Sequence, residues 1–208
     1  MSYTMTYDSL LVDLRRYLER GFTEASDQIV FDQLPRLITL GERRIARELK
    51  IEGFIRAVNL PLSIGVSTYL KPDRWRDTAS MNVSGSSIFA RSYEYCRNYW
   101  PDESETAAPQ FYADYQHWLI APTPNAASTL EILYYEQPAL LGEDFQSNWL
   151  TEYAPDVLLY AALLEATPFL KSDERVPMWR EMYDRAAQAL NGEDLSKIMD
   201  RSAQRSEA

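Results

Sequence analysis

Residues 151–170, TEYAPDVLLYAALLEATPFL, are the stretch on which the fold turns. Tyr153, Val157, Leu158, Tyr160, Ala161, Leu164 and Phe169 put apolar side chains nearly all round one helix. A helix apolar on every side belongs inside a bundle or an interface. Its richest run, VLLYAALLEA (157–166), is too short to span a membrane and closes on Glu165. Pro155 suits a first helical turn, whereas Pro168 bends or ends the helix. Such a helix needs neighbours on several sides, and its flanks supply them.

Downstream, Asp173 caps an expected helix over 174–190, with Val176, Trp179, Met182, Tyr183, Ala186 and Leu190 on one side. Asn191-Gly192 predicts its stop, leaving 192–208 as a loose helix or tail. Far upstream, YDSLLVDLRRYLERG (7–21) repeats Leu10, Leu11, Leu14, Tyr17 and Leu18 at three- and four-residue steps, with Gly21 as the stop. A second N-terminal helix is expected to start near Asp32, with Pro35 in its tolerant first turn. Leu34, Leu37, Ile38, Ile45 and Leu49 mark its inner face. Arg43, Arg44, Arg47 and Lys50 crowd its C-terminal half, where cations complement the helix dipole. They form either a solvated face or a contact for an acidic partner.

Between these helices the texture changes. Prolines, serines and short β-rich runs predict strands over 54–60, 74–83 and 87–91, then a short helix over 93–99 stopped before Pro101. Segments 112–120 and 129–137 are expected to pair across the turn APTPNAAS, with Leu130, Ile132 and Tyr134 alternating against Glu131, Leu133 and Tyr135. The expected fold class is α+β, mainly α: a helical bundle with a small inserted antiparallel β section. Its parts are an N-terminal helix pair (1–52), the β section (53–138), C-terminal helices packing with that pair (139–191), and a tail or docking arm (192–208).

Composition narrows the function. The 208 residues carry 31 Asp+Glu against 21 Lys+Arg, a net charge of −10 that weighs against gripping phosphate backbones. The excess is uneven: residues 1–50 balance eight acids with eight bases, while 51–150 hold twelve against six. One cysteine, Cys96, excludes an internal disulfide framework and reads as a small apolar filler. The start, MSYTMTYDSL, lacks the basic and apolar regions of a signal peptide. The single histidine, His117, is placed on a strand with no hydrolase, metal or phosphate-binding motif around it. Asp102/Glu103/Glu105, Glu143/Asp144 and Glu193/Asp194 lack calcium-loop spacing. No cofactor, no metal and no catalytic residue is expected.

The run from Tyr134 to Asn191 is more specific. A YY-E-x-P strand end leads to Asn148-Trp149-Leu150-Thr151, Ala154-Pro155-Asp156 and Leu158-Leu159-Tyr160-Ala161, then Pro168-Phe169-Leu170-Lys171, Asp173-Glu174-Arg175, Trp179 and Tyr183-Asp184. This pattern resembles the adaptor proteins of short-tailed bacteriophages, the head-to-tail connector family that includes tail tubular protein A. LGERRIARELK and WLIAPTPNAASTLEILYYEQP also look like that family's N-terminal helix pair and last hairpin. The resemblance implies a non-enzymatic virion protein at the head–tail junction, made in the host cytoplasm. It implies a ring of about twelve copies beneath the portal protein, with the tail nozzle protein below and double-stranded DNA passing through unread. Leu195, Ile198 and Met199 form the apolar stripe of a candidate portal-binding arm, and Trp149 and Phe169 are further partner-binding candidates.

Two readings from other classes stand beside it. One is a small soluble hydrolase using His117 with an acid such as Asp114. The other is an acidic regulator that binds a basic protein with steep salt dependence.

Overall fold

The computed structural model describes residues 4–25, 27–169 and 173–206, with side chains described throughout these except at Glu52, Phe169 and 193–206. In chain order the elements begin with α1 (Tyr7–Leu18), α2 (Gln28–Glu48), β1 (Ile55–Leu62), β2 (Thr68–Tyr69), β3 (Trp75–Val83) and β4 (Ser86–Ala90). α3 (Tyr93–Tyr99), β5 (Thr106–Ala107), β6 (Phe111–Asp114), β7 (Trp118–Ala121), β8 (Thr123–Pro124) and β9 (Ser128–Glu136) follow. α4 (Trp149–Tyr153), α5 (Pro155–Glu165) and α6 (Val176–Ser206) complete the chain. It divides into two compact units: residues 1–53 with 138–208, and residues 54–137.

The helical unit is built round α5, which packs against α1, α2, α4 and α6. Val157, Leu158, Leu159 and Ala161 to Leu164 are all buried, as a helix apolar on every side requires. Gly41 of α2 lets the backbones of α2 and α5 approach: a Cβ there would lie 2.9 Å from the Ala162 nitrogen. α1 opens with a capping box in which Thr6 and Ser9 exchange side-chain-to-backbone bonds, and it ends on left-handed Glu19.

Two helix boundaries differ from expectation. α2 starts at Gln28 rather than near Asp32, because the Asp27 side chain accepts the Val30 N–H and caps one turn earlier. Pro35 therefore sits inside the helix, where it cannot donate to the Phe31 carbonyl. Burial of Val30, Leu34, Leu37 and Ile38 along one face holds the helix across that gap. α6 runs through Asn191-Gly192 to Ser206. Gly192 takes no left-handed conformation, so it acts as a costly helical residue of roughly 1 kcal/mol relative to Ala, not as a stop.

The sheet unit overturns the expected fold class. About 42% of the protein is helix and 26% strand, and seven strands curl into a half-barrel instead of forming a small insert in a helical bundle. Their order is β1-β9-β3-β4-β6-β7-β2, antiparallel except for the parallel pair β4–β6. The parallel step needs a crossover, and α3 with its following loop provides it. β9 is not the hairpin partner of 112–120. It lies between β1 and β3, with Ile55 opposite Tyr135 and Met81 opposite Ile132. Segment 112–120 is itself a hairpin, β6 and β7, with Tyr112 opposite Ile120. Four-residue strands are too short for alternation to reveal, and these two are buried on both faces. Tyr112, Trp118 and Ile120 join a core with Leu62, Met81, Ile88, Leu130, Ile132 and Tyr134. Ala113, Leu119 and Ala121 pack with Cys96 on the other side.

Candidate docking surfaces

In the helical unit, Asn148 organises the entry to α4. Its side-chain oxygen accepts the Leu150 and Thr151 N–H groups, and the Thr151 hydroxyl accepts the Asn148 N–H, a reciprocal cap. Trp149, the first helical residue, lies flat against Gly53: a Cβ on that glycine would fall 2.1 Å from Trp149 Cε2. Tyr153 stacks on it at 5.4 Å and is 67% exposed. Trp149 is thus half-buried and pinned, with an exposed tyrosine beside it.

Beneath that cap sits a buried acid. Glu42 of α2 is only 1% exposed, yet its carboxylate accepts the Leu141 N–H on both oxygens at 3.2 Å and the Asn148 Nδ2–H at 2.7 Å. Burial pushes its pKa from 4.5 up to about 7, against the pull of the two hydrogen-bonding partners. Two further polar links tie the helices together. Arg44 pairs with Glu165 at 2.6 Å, and the Tyr183 hydroxyl donates to Glu48 at 2.5 Å. Burial and the Glu48 bond both push the Tyr183 phenol well up.

The remaining partner-binding candidates are only partly described. Phe169 falls in a 3₁₀ turn, Thr167–Phe169, and its side chain lies outside the described residues. The backbone at Leu195, Ile198 and Met199 is helical, within the last turns of α6; their side chains also lie outside the description.

In the sheet unit, His117 sits in the turn between β6 and β7 rather than on a strand, half-buried beside Tyr115 at 6.1 Å between ring centres. Asp114 is already engaged. Lys71 Nζ donates to one carboxylate oxygen and to the Tyr115 carbonyl, and the Thr78 hydroxyl donates to the other oxygen at 2.6 Å. That hydroxyl in turn accepts Trp118 Nε1–H at 2.9 Å and Trp75 Nε1–H at 3.3 Å. Lys71 also lies 3.2 Å over the Trp75 ring. The cluster braces the strands, and a general base drawing on Asp114 would have to break it.

α3 carries an outward aromatic surface. Tyr95, Trp100 and Phe111 meet at 5.6–6.4 Å, with Arg91 over Tyr95 and Phe111. Phe89, opposite Phe111 on the next strand, and Tyr99 are exposed by 61% and 65%. Aromatic rings with arginine are what binding hot spots are made of. Glu42 and this patch were both missed by sequence reasoning. An acid in phase with the apolar face of α2 was a visible sign of the first; the second depends on a strand pairing that no local pattern reveals. Among the described residues no group of three metal-ligating side chains converges, and no helix is long and apolar enough to cross a membrane.

Comparison with known proteins identifies a family. The family model for the SU10 adaptor protein, a phage head-to-tail adaptor family, matches residues 5–206. No curated protein matches the chain.

Proposed function

We infer the function from one premise: this chain belongs to the SU10 adaptor protein family. Its role is therefore structural, at the junction of phage head and tail, with portal and tail proteins as its partners in general. We propose more narrowly that it acts as a collar like tail tubular protein A, about twelve copies closing into a ring beneath the portal. The nozzle would hang below, and the genome would leave through the centre. The observation that carries this reading is the match over nearly the whole chain, which takes in both compact units. Charge supports it. A net charge of −10 gives a wall that repels the sliding phosphate backbone, where a basic wall would hold it. The C-terminal turns of α6, with Leu195, Ile198 and Met199 at helical spacing, are the arm we assign to the portal.

Native mass of the purified chain, alone and with the portal ring of the same genome, tests the reading. A complex heavier than the portal by about twelve copies is expected. A chain that ignores the portal refutes it. Removal of 193–208 should abolish portal binding and leave thermal unfolding of the rest unchanged; binding that survives the deletion removes the arm.

A further inference from the structure

A closed ring needs one surface of each copy to fit a different surface of the next. We propose that these surfaces are the basic outer face of α2 on one copy and an acidic knob around Glu143 on its neighbour. The inference rests on the ring reading above and names its contact.

At 100° per residue, Ile29, Arg36, Arg43 and Arg47 lie within about 40° of one another around α2. All four are exposed, and the three arginines span about 16 Å along the axis. Arg44, one step round the helix, is consumed by Glu165. Arg36 and Arg43 have no ion pair among the described residues.

The knob is a tight reversal, with Gly142 and Phe145 exchanging N–H···O bonds at 3.0 and 3.1 Å. Glu143 and Asp144 stand exposed at its tip beside Phe145, itself 43% exposed. Gln146 anchors it. Its carbonyl accepts the Tyr7 N–H at 2.7 Å, its side chain accepts the Asp8 N–H at 3.2 Å, and its amide donates to the Glu143 carbonyl at 3.0 Å. Asp8 is thereby held near Glu143, and both charges act on the Tyr7 phenol. The carboxylates of Asp8, Glu143 and Asp144 have no ion pair among the described residues.

The unspent charges are therefore Arg36 and Arg43 on the helix, with the exposed acid Asp32 beside them, and Asp8, Glu143 and Asp144 on the knob, each set around one exposed apolar side chain, Ile29 on the helix and Phe145 on the knob. Within one chain the two sets do not meet. Glu42 points to the segment carrying the knob, while Arg43 projects about 100° away round the helix. Opposite charges of this kind set which surfaces meet and in what register, more than how tightly. A rigid knob also loses little entropy on docking.

Charge exchange in the full-length chain, with and without the portal, tests the pairing. The Arg36→Glu/Arg43→Glu variant and the Glu143→Lys/Asp144→Lys variant should each raise the assembly midpoint by about tenfold or more, with circular dichroism unchanged. An equimolar mixture should assemble again, because the reversed face fits the reversed knob and the native face fits the native knob. Double variants that assemble like the wild type overturn this contact and leave the ring standing. Loss without rescue in the mixture overturns the pairing as well. A wild-type chain that forms no ring even on the portal overturns both.

Discussion

Glu42 makes a prediction that stability measurements can decide. Its carboxylate is buried beneath α4, fed by the Leu141 N–H and the Asn148 amide but faced by no cation among the described residues. The folded chain holds the proton more tightly than the unfolded chain, with a pKa of about 7 against 4.5. Between these values the native state binds more protons, so stability falls as pH rises. The contribution is complete below pH 4.5 and lost above 7. At 1.36 kcal/mol per pKa unit, the displacement amounts to about 3 kcal/mol, of which about 2.5 falls between pH 5 and 8.

Glu42→Gln removes the proton and keeps an acceptor for Leu141 or Asn148. Many other carboxylates titrate in the wild type, so the informative quantity is the difference between the two proteins at each pH. In urea unfolding, the wild type should lose about 2.5 kcal/mol more than the variant from pH 5 to 8. That is a relative midpoint shift of about 1 M if the urea slope is near 2 kcal/mol per M. Parallel stability curves would refute the reasoning. A wild type that gains on the variant as pH rises would show that the hydrogen bonds to the charged carboxylate outweigh its burial.

Three further perturbations follow from the same geometry. Gly53→Ala places a methyl inside the Trp149 ring; a loss of about 2 kcal/mol in urea, with altered tryptophan emission, is expected, and an unchanged midpoint would show that the ring moves freely. Thr78→Val strips the hydroxyl that Trp118, Trp75 and Asp114 share and should cost about 2–3 kcal/mol, while Thr78→Ser should retain most of it. Cys96 is 1% exposed and burial pushes its thiol up, so alkylation at pH 8 should run at least about tenfold slower in the native protein than in urea; equal rates would place the thiol at the surface.

What the sequence disclosed, and what it hid, divides along the range of the forces involved. α3 occupies 93–99 as read, because the i,i+4 pairs and Pro101 that define it lie within one turn. Pro155 opens α5 for the same local reason. The start of α2 was harder, since Asp27 and Asp32 are equally good caps in isolation. What selects Asp27 is the added turn that buries Val30. Strand partners were illegible. β9 matches its alternation against any apolar strand, and only assembly of the whole sheet sets it against Ile55, some eighty residues earlier, and Trp75. The site was hidden by the same distance. Glu42 departs from the apolar pattern of its helix, and its donors lie about a hundred residues further on, in a segment with no periodicity of its own. An acid in phase with an apolar face therefore carries more information than any of the acidic clusters the eye finds first. A cluster on the surface is stable without partners, whereas a buried carboxylate must have its hydrogen-bond donors brought to it by the fold.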